Sequence, residues 1–172
     1  NTLDRQGRLI SCEHGRRCIS RTNFDGSIEI LVDKFDGKRF NSPNDVVEHR
    51  DGSVWFTDPP YGGQLYEGTP DAPGGPSNPE GRINNRIGQP PEIGEAKREM
   101  PHGVYRVAPD GAVTRMIEET QVEDPNGLCF SPDFDRLYVA STGKGPGDTG
   151  TGGKGEIFVF DMAPDGALSN QR

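Results

Sequence analysis

The chain has 172 residues, of which only 30% are hydrophobic, with 24 glycines and 15 prolines. Lys plus Arg number 19 against 27 Asp plus Glu, a net charge of −8, which argues against nucleic acid and anionic membranes as partners because both demand cationic patches. No apolar run approaches the length of a membrane span, and aromatic and β-branched residues lie in short runs between turn formers, which points to an all-β fold.

In chain order, the first predicted strand is Arg8-Leu9-Ile10-Ser11-Cys12, after a Gln6-Gly7 turn. It runs into Glu13-His14-Gly15-Arg16-Arg17, whose arginines, with Arg21, are too few to reverse the acidic balance. Cys18-Ile19-Ser20-Arg21 and Ile28-Glu29-Ile30-Leu31-Val32 flank an Asp25-Gly26 turn, a hairpin signal. Cys12, Cys18 and Cys129 are odd in number and lack metal spacing, so buried or partly buried thiols are expected. Asn41-Ser42-Pro43-Asn44-Asp45-Val46-Val47 then leads to Asp51-Gly52 and the strand Ser53-Val54-Trp55-Phe56-Thr57, which ends on Asp58-Pro59-Pro60. Residues 62–101 have no sustained period and seven prolines; they read as a long loop, with a helical turn near Glu92–Arg98.

Strands resume at Val104-Tyr105-Arg106-Val107 and Val113-Thr114-Arg115-Met116-Ile117, around Asp110-Gly111. Asp124-Pro125-Asn126-Gly127 opens Leu128-Cys129-Phe130, followed by Arg136-Leu137-Tyr138-Val139-Ala140 and Ile157-Phe158-Val159-Phe160. Ala108-Pro109-Asp110-Gly111-Ala112 returns letter for letter as Ala163-Pro164-Asp165-Gly166-Ala167, with a looser copy at Asn23-Phe24-Asp25-Gly26-Ser27. The repeating unit is two hairpins, or four short strands. Units of roughly 40–50 residues built this way characterise β-propeller blades. The expectation is one partial propeller domain over residues 1–172, supplying roughly three blades where a closed ring needs about four to eight. The chain opens at Asn1 without a methionine and ends just after a turn, so it is read as part of a larger ring, with its compartment left open.

Asn44 and Asn126 each stand before a strand that, in a propeller, lines the central channel. Amide oxygens are good ligands for hard cations such as Ca²⁺; the plainer role is a turn asparagine bonded to its own backbone. Asp58 reads as a metal ligand or acceptor, or as a turn cap before proline. Asp45 and Asp124 flank the asparagines as supporting groups or turn formers. His14 is a weaker candidate for a general base, and no nucleophile motif partners it. His49 and His102 carry no signal. The glycines of 143–150 lack the ending of a phosphate loop.

The stretches Cys12-Glu13-His14-Gly15, Asn41-Ser42-Pro43-Asn44-Asp45-Val46, Trp55-Phe56-Thr57-Asp58-Pro59-Pro60-Tyr61-Gly62 and Asp124-Pro125-Asn126-Gly127-Leu128 follow one another in this order along the chain. In that order they resemble the bacterial gluconolactonases, within the wider group of regucalcin, gluconolactonase and luciferin-regenerating enzyme. The resemblance implies a six-bladed propeller that hydrolyses sugar lactones such as D-glucono-1,5-lactone. It implies one divalent metal at the channel mouth, Ca²⁺ foremost with Zn²⁺ or Mn²⁺ as alternatives. Asn126 matches a metal ligand, and Asn44 a residue that contacts substrate or bound water. The family's first-blade Glu and later-blade Asp, the expected base, fall outside residues 1–172, so the catalytic base is unassigned within them. Ser42 stands where some animal members carry arginine. Alternative readings are a propeller acting on other esters or phosphotriesters, and a non-catalytic calcium-binding module.

Overall fold

A computed structural model describes residues 1–59, 76, 77, 79, 99–141 and 155–172. Most of the 62–101 segment, the Glu92–Arg98 turn and the 143–150 glycines lie outside the described residues. Among those described, the chain is all-β without helix. The first sheet takes β1 (Thr2–Leu3), β2 (Leu9–Glu13), β3 (Cys18–Thr22) and β4 (Ile28–Val32) in chain order. A two-stranded hairpin follows, β5 (Lys34–Phe35) and β6 (Lys38–Arg39). The middle sheet holds β7 (Val46–Glu48), β8 (Val54–Asp58), β9 (Gly103–Val107) and β10 (Val113–Glu118). The third holds β11 (Pro125–Phe130), β12 (Arg136–Ser141), β13 (Glu156–Met162) and β14 (Leu168–Ser169). Every paired strand is antiparallel to its neighbour. Four-strand meanders are what the repeating turn string predicts.

The repeated string has a physical cause. In Ala108–Ala112 the Gly111 amide donates to the Ala108 carbonyl, and the Ala108 amide to the Ala112 carbonyl, both at 2.8 Å. The Asp110 carboxylate accepts the Ala112 amide at 3.0 Å, an Asx turn. Gly111 sits at φ +85, where a side chain is penalised and glycine is not. The same bonds recur at 163–167 and 23–27, with Gly166 at φ +88 and Gly26 at φ +83. The β5–β6 hairpin escaped the sequence reading. It turns on Asp36 (φ 53) and Gly37 (φ 75), the two left-handed residues that a tight two-residue hairpin needs.

Alternation along the strands builds the core. Val54, Phe56, Tyr105 and Val107 of the middle sheet cluster with Ile10, Ile19 and Val32 of the first, and with Phe40. Their neighbours Trp55, Val104 and Ile117 point the other way, onto Leu128, Leu137, Val139 and Phe160 of the third sheet. The middle sheet is thus covered on both faces, and β8 is buried throughout. The outer sheets each leave apolar side chains open, such as Ile28 and Ile157. Cys12 and Cys18 are partly and fully buried, as expected, and burial pushes both thiols up, Cys18 to about 11. Cys129 is a correction: it is exposed, because it alternates outward from β11 beside the inward Leu128.

Candidate functional site

The first strands of the three sheets stand side by side, β1 against β7 and β7 against β11. Where β7 meets β11, the two asparagines singled out in the sequence come together. Asn44 lies one residue before Asp45 and two before β7. Its amide donates to the Thr57 carbonyl at 3.0 Å, and the Thr57 amide returns to the Asp45 carbonyl at 3.0 Å, so the β7–β8 ladder runs on past the last strand residue. Thr57 Oγ1 accepts the Asp45 amide at 3.1 Å and donates to the Asn126 carbonyl at 2.6 Å. Asp45 crosses the same gap, its Oδ2 accepting the Leu128 amide at 2.9 Å. These bonds fix β11 on the middle sheet, and the Asn44 Nδ2 donates to the Asn126 Oδ1. Both side chains remain half-buried, within reach of a ligand.

Asn126 lies inside β11, where the sequence reading put it ahead of the strand. Pro125 pairs with Ser141, but Leu128 pairs with Val139, so β11 carries one extra residue at Asn126–Gly127. Such a bulge breaks the two-residue alternation and re-aims a side chain. Here that side chain is Asn126.

His14 follows the end of β2 on the first sheet. The Pro43 carbonyl, next to Asn44, is near enough to act on this ring, so a residue from each sheet reaches this junction. Burial pulls the His14 pKa below its ordinary value, and the Pro43 carbonyl opposes that shift. A neutral imidazole is the form that can accept a proton.

Asp58 is fully buried at the end of β8. Its Oδ2 accepts the Asn41 amide at 2.8 Å and the Asn41 Nδ2 at 3.1 Å; its Oδ1 accepts the Ser42 amide at 2.8 Å. The carboxylate therefore grips the turn that delivers Asn44. Burial pushes its pKa up to about 7, against the pull of those donors and of Arg17. Arg17 is itself buried, donates to the Phe40 carbonyl and pairs with Glu99 at 3.3 Å.

Thr57 was missed by sequence reasoning, because a threonine inside a strand reads as an ordinary strand former. Asn41 stands out in the sequence only as part of its run. His102, set aside there, is buried with its Nδ1 2.6 Å from Asp124 Oδ1. The spacing of Asp124 two residues before Asn126 was the available signal.

The donor set suits a hard divalent cation in part. Asn126 Oδ1 is a neutral oxygen ligand of the right kind. Among the described residues there is no group of three or more His, Cys, Asp or Glu side chains that could complete a coordination sphere.

Comparison with known proteins gives consistent matches. The family model for the SMP-30/Gluconolactonase/LRE-like region matches residues 1–172. A gluconolactonase of Zymomonas mobilis subsp. mobilis is 31% identical over 137 residues, covering 79% of this chain and 31% of the relative. A lactonohydrolase of Aspergillus oryzae is 27% identical over 120 residues, covering 70% of this chain and 21% of the relative. The solved structure of a gluconolactonase from Xanthomonas campestris superimposes with a TM-score of 0.70 at 40% identity, covering 99% of this chain and 46% of that one. The chain therefore spans from about a fifth to about half the length of the proteins it matches.

Proposed function

The chain belongs to the SMP-30/Gluconolactonase/LRE-like family, and from that premise we propose that it contributes the Asn44–Asn126 face of a lactone-hydrolysing site. In this reading the three meander sheets are consecutive blades of a propeller, and β1, β7 and β11 line its channel. The substrate is a small sugar lactone of the D-glucono-1,5-lactone type, opened by water to the aldonic acid. The observation that carries the reading is the side-chain bond between Asn44 and Asn126, two residues far apart in the chain and on different sheets.

Hydrolysis of a lactone needs a polarised carbonyl and a water held on its face. A divalent cation, with Ca²⁺ favoured by the oxygen donors, would supply that polarisation and acidify bound water. Asn126 Oδ1 would be its ligand from this chain. Asn44 Nδ2, which already donates to that oxygen, would keep a second proton to donate to a substrate oxygen. A neutral amide ligand leaves the cation's charge uncancelled. Asp45 and Thr57 hold both asparagines in place through backbone bonds, so the site is ordered before substrate arrives. Asp58 acts one step removed, through the Asn41–Ser42 turn.

The test is hydrolysis of D-glucono-1,5-lactone by the full protein carrying this segment, with and without a chelator. Chelation is expected to abolish turnover and added Ca²⁺ to restore it. Chelator-insensitive hydrolysis would remove the cation from the mechanism.

A further inference from the structure

We propose that the His102–Asp124 pair is a positioning device that sets the bend by which Asn126 reaches Asn44, a role that rests on reading those asparagines as the site. Asp124 is buried and adopts φ 45, the left-handed region that an L side chain disfavours. The following Pro125 narrows its backbone choices further. Something must hold it there, and the His102 imidazole meets its carboxylate at 2.6 Å.

His102 is a firm anchor. It directly precedes β9, whose first residue Gly103 pairs with Asp58. Its amide donates to Glu119 Oε2 at 3.3 Å, and the adjoining Pro101 carbonyl accepts the Asn41 Nδ2 at 3.4 Å. The pair therefore ties the start of β11 to the middle sheet near Asp58. Thr57 and Asp45 tie β11 to the same sheet two and four residues beyond Asp124, through Asn126 and Leu128. Asn126 and its bulge lie between these tethers. If the imidazole is removed, Asp124 loses the contact that its carboxylate makes with the middle sheet, and a shift of its φ toward negative values turns Pro125 and the bulge and withdraws Asn126 from Asn44.

The experiment separates this from a merely structural role. In cation-free protein, the side-chain amide signal of Asn44 is followed by ¹⁵N NMR, assigned through Asn44→Asp. His102→Ala is expected to shift that signal toward its solvent-exposed position, and His102→Asn, which keeps an N–H donor, to restore it in part. In an Asp124→Gly background the bend needs no restraint, because glycine adopts positive φ freely. There, removing His102 is expected to leave the signal unmoved. A calorimetric Ca²⁺ titration gives the second readout: His102→Ala should weaken binding about 10-fold, and less than about twofold when Asp124 is glycine. An unmoved Asn44 signal in His102→Ala, or an equal displacement in the glycine background, overturns the proposal. If the NMR coupling holds while the unsubstituted protein binds no Ca²⁺, the positioning role stands and the cation reading fails.

Discussion

Asp58 shows how one residue's chemistry is set by its surroundings. A carboxylate with three N–H donors is ordinarily held ionised, yet complete burial pushes this one up to about 7 from an ordinary 3.8. The consequence for stability has a definite sign. Between about pH 4 and pH 7 the unfolded chain has released a proton that the folded chain still holds. Raising the pH through that window therefore favours unfolding, and the loss levels off above it. His14 works the other way below its ordinary 6.5, since its folded pKa is lowered. The Asp58 contribution is isolated by comparison with Asp58→Asn. Urea denaturation from pH 4 to pH 7 is expected to show wild-type stability falling relative to the variant; a constant difference would refute the shift. Asp58→Ala, which strands the Asn41 and Ser42 donors, is expected to cost about 2–4 kcal/mol. The sequence marked Asp58 as a possible ligand because it ends a strand before prolines. Which way the carboxylate faces depends on Asn41, and no local pattern encodes that contact.

At the scale of elements, the turns were the most legible part of the chain. Asp-Gly specifies a left-handed glycine, an Asx bond and a reversal within five residues, all local, so the letters suffice. Gly26 has φ +83 and nothing within 4 Å of an added Cβ. Gly26→Ala therefore isolates the backbone cost and is expected to destabilise by about 1–2 kcal/mol in urea denaturation. A neutral result would mean that the turn relaxes to another type. Gly103 is a different case: a Cβ there would lie 2.9 Å from the Ile117 carbonyl oxygen, so its need is steric. The bulge that aims Asn126 was not legible. It is visible only in the register of β11 against β12, and Pro125 and Gly127 alone do not say which residue is extra.

At the scale of the molecule, the sandwiching of the middle sheet joins fold to site. Alternation sends Phe56 toward the first sheet and Trp55 toward the third, so the strand that ends in Thr57 and Asp58 is held from both sides. Trp55 is fully buried, donates to Ser53 Oγ at 3.0 Å and packs on Phe130 at 5.6 Å. Trp55→Ala is expected to cost about 3–5 kcal/mol in chemical denaturation; a loss under about 1 kcal/mol would show that the third sheet does not depend on this contact. The all-β class and the four-strand unit followed from periodicity. The convergence of Asn44, Asn126 and His14 did not, because it arises only when separate units pack around shared inner strands.

In the proposed function, Asn44 and Asn126 act together at one hydrolytic site. The most direct measurement is a double-mutant cycle on kcat/KM for D-glucono-1,5-lactone in the full protein carrying this segment. Each alanine substitution alone is expected to cost about 10²–10³-fold. The double variant should lose far less than the product of the two, because residues that act as a unit are not additive. Full activity in either single variant, or losses that multiply, would mean that the two asparagines do not work as one unit in the reaction.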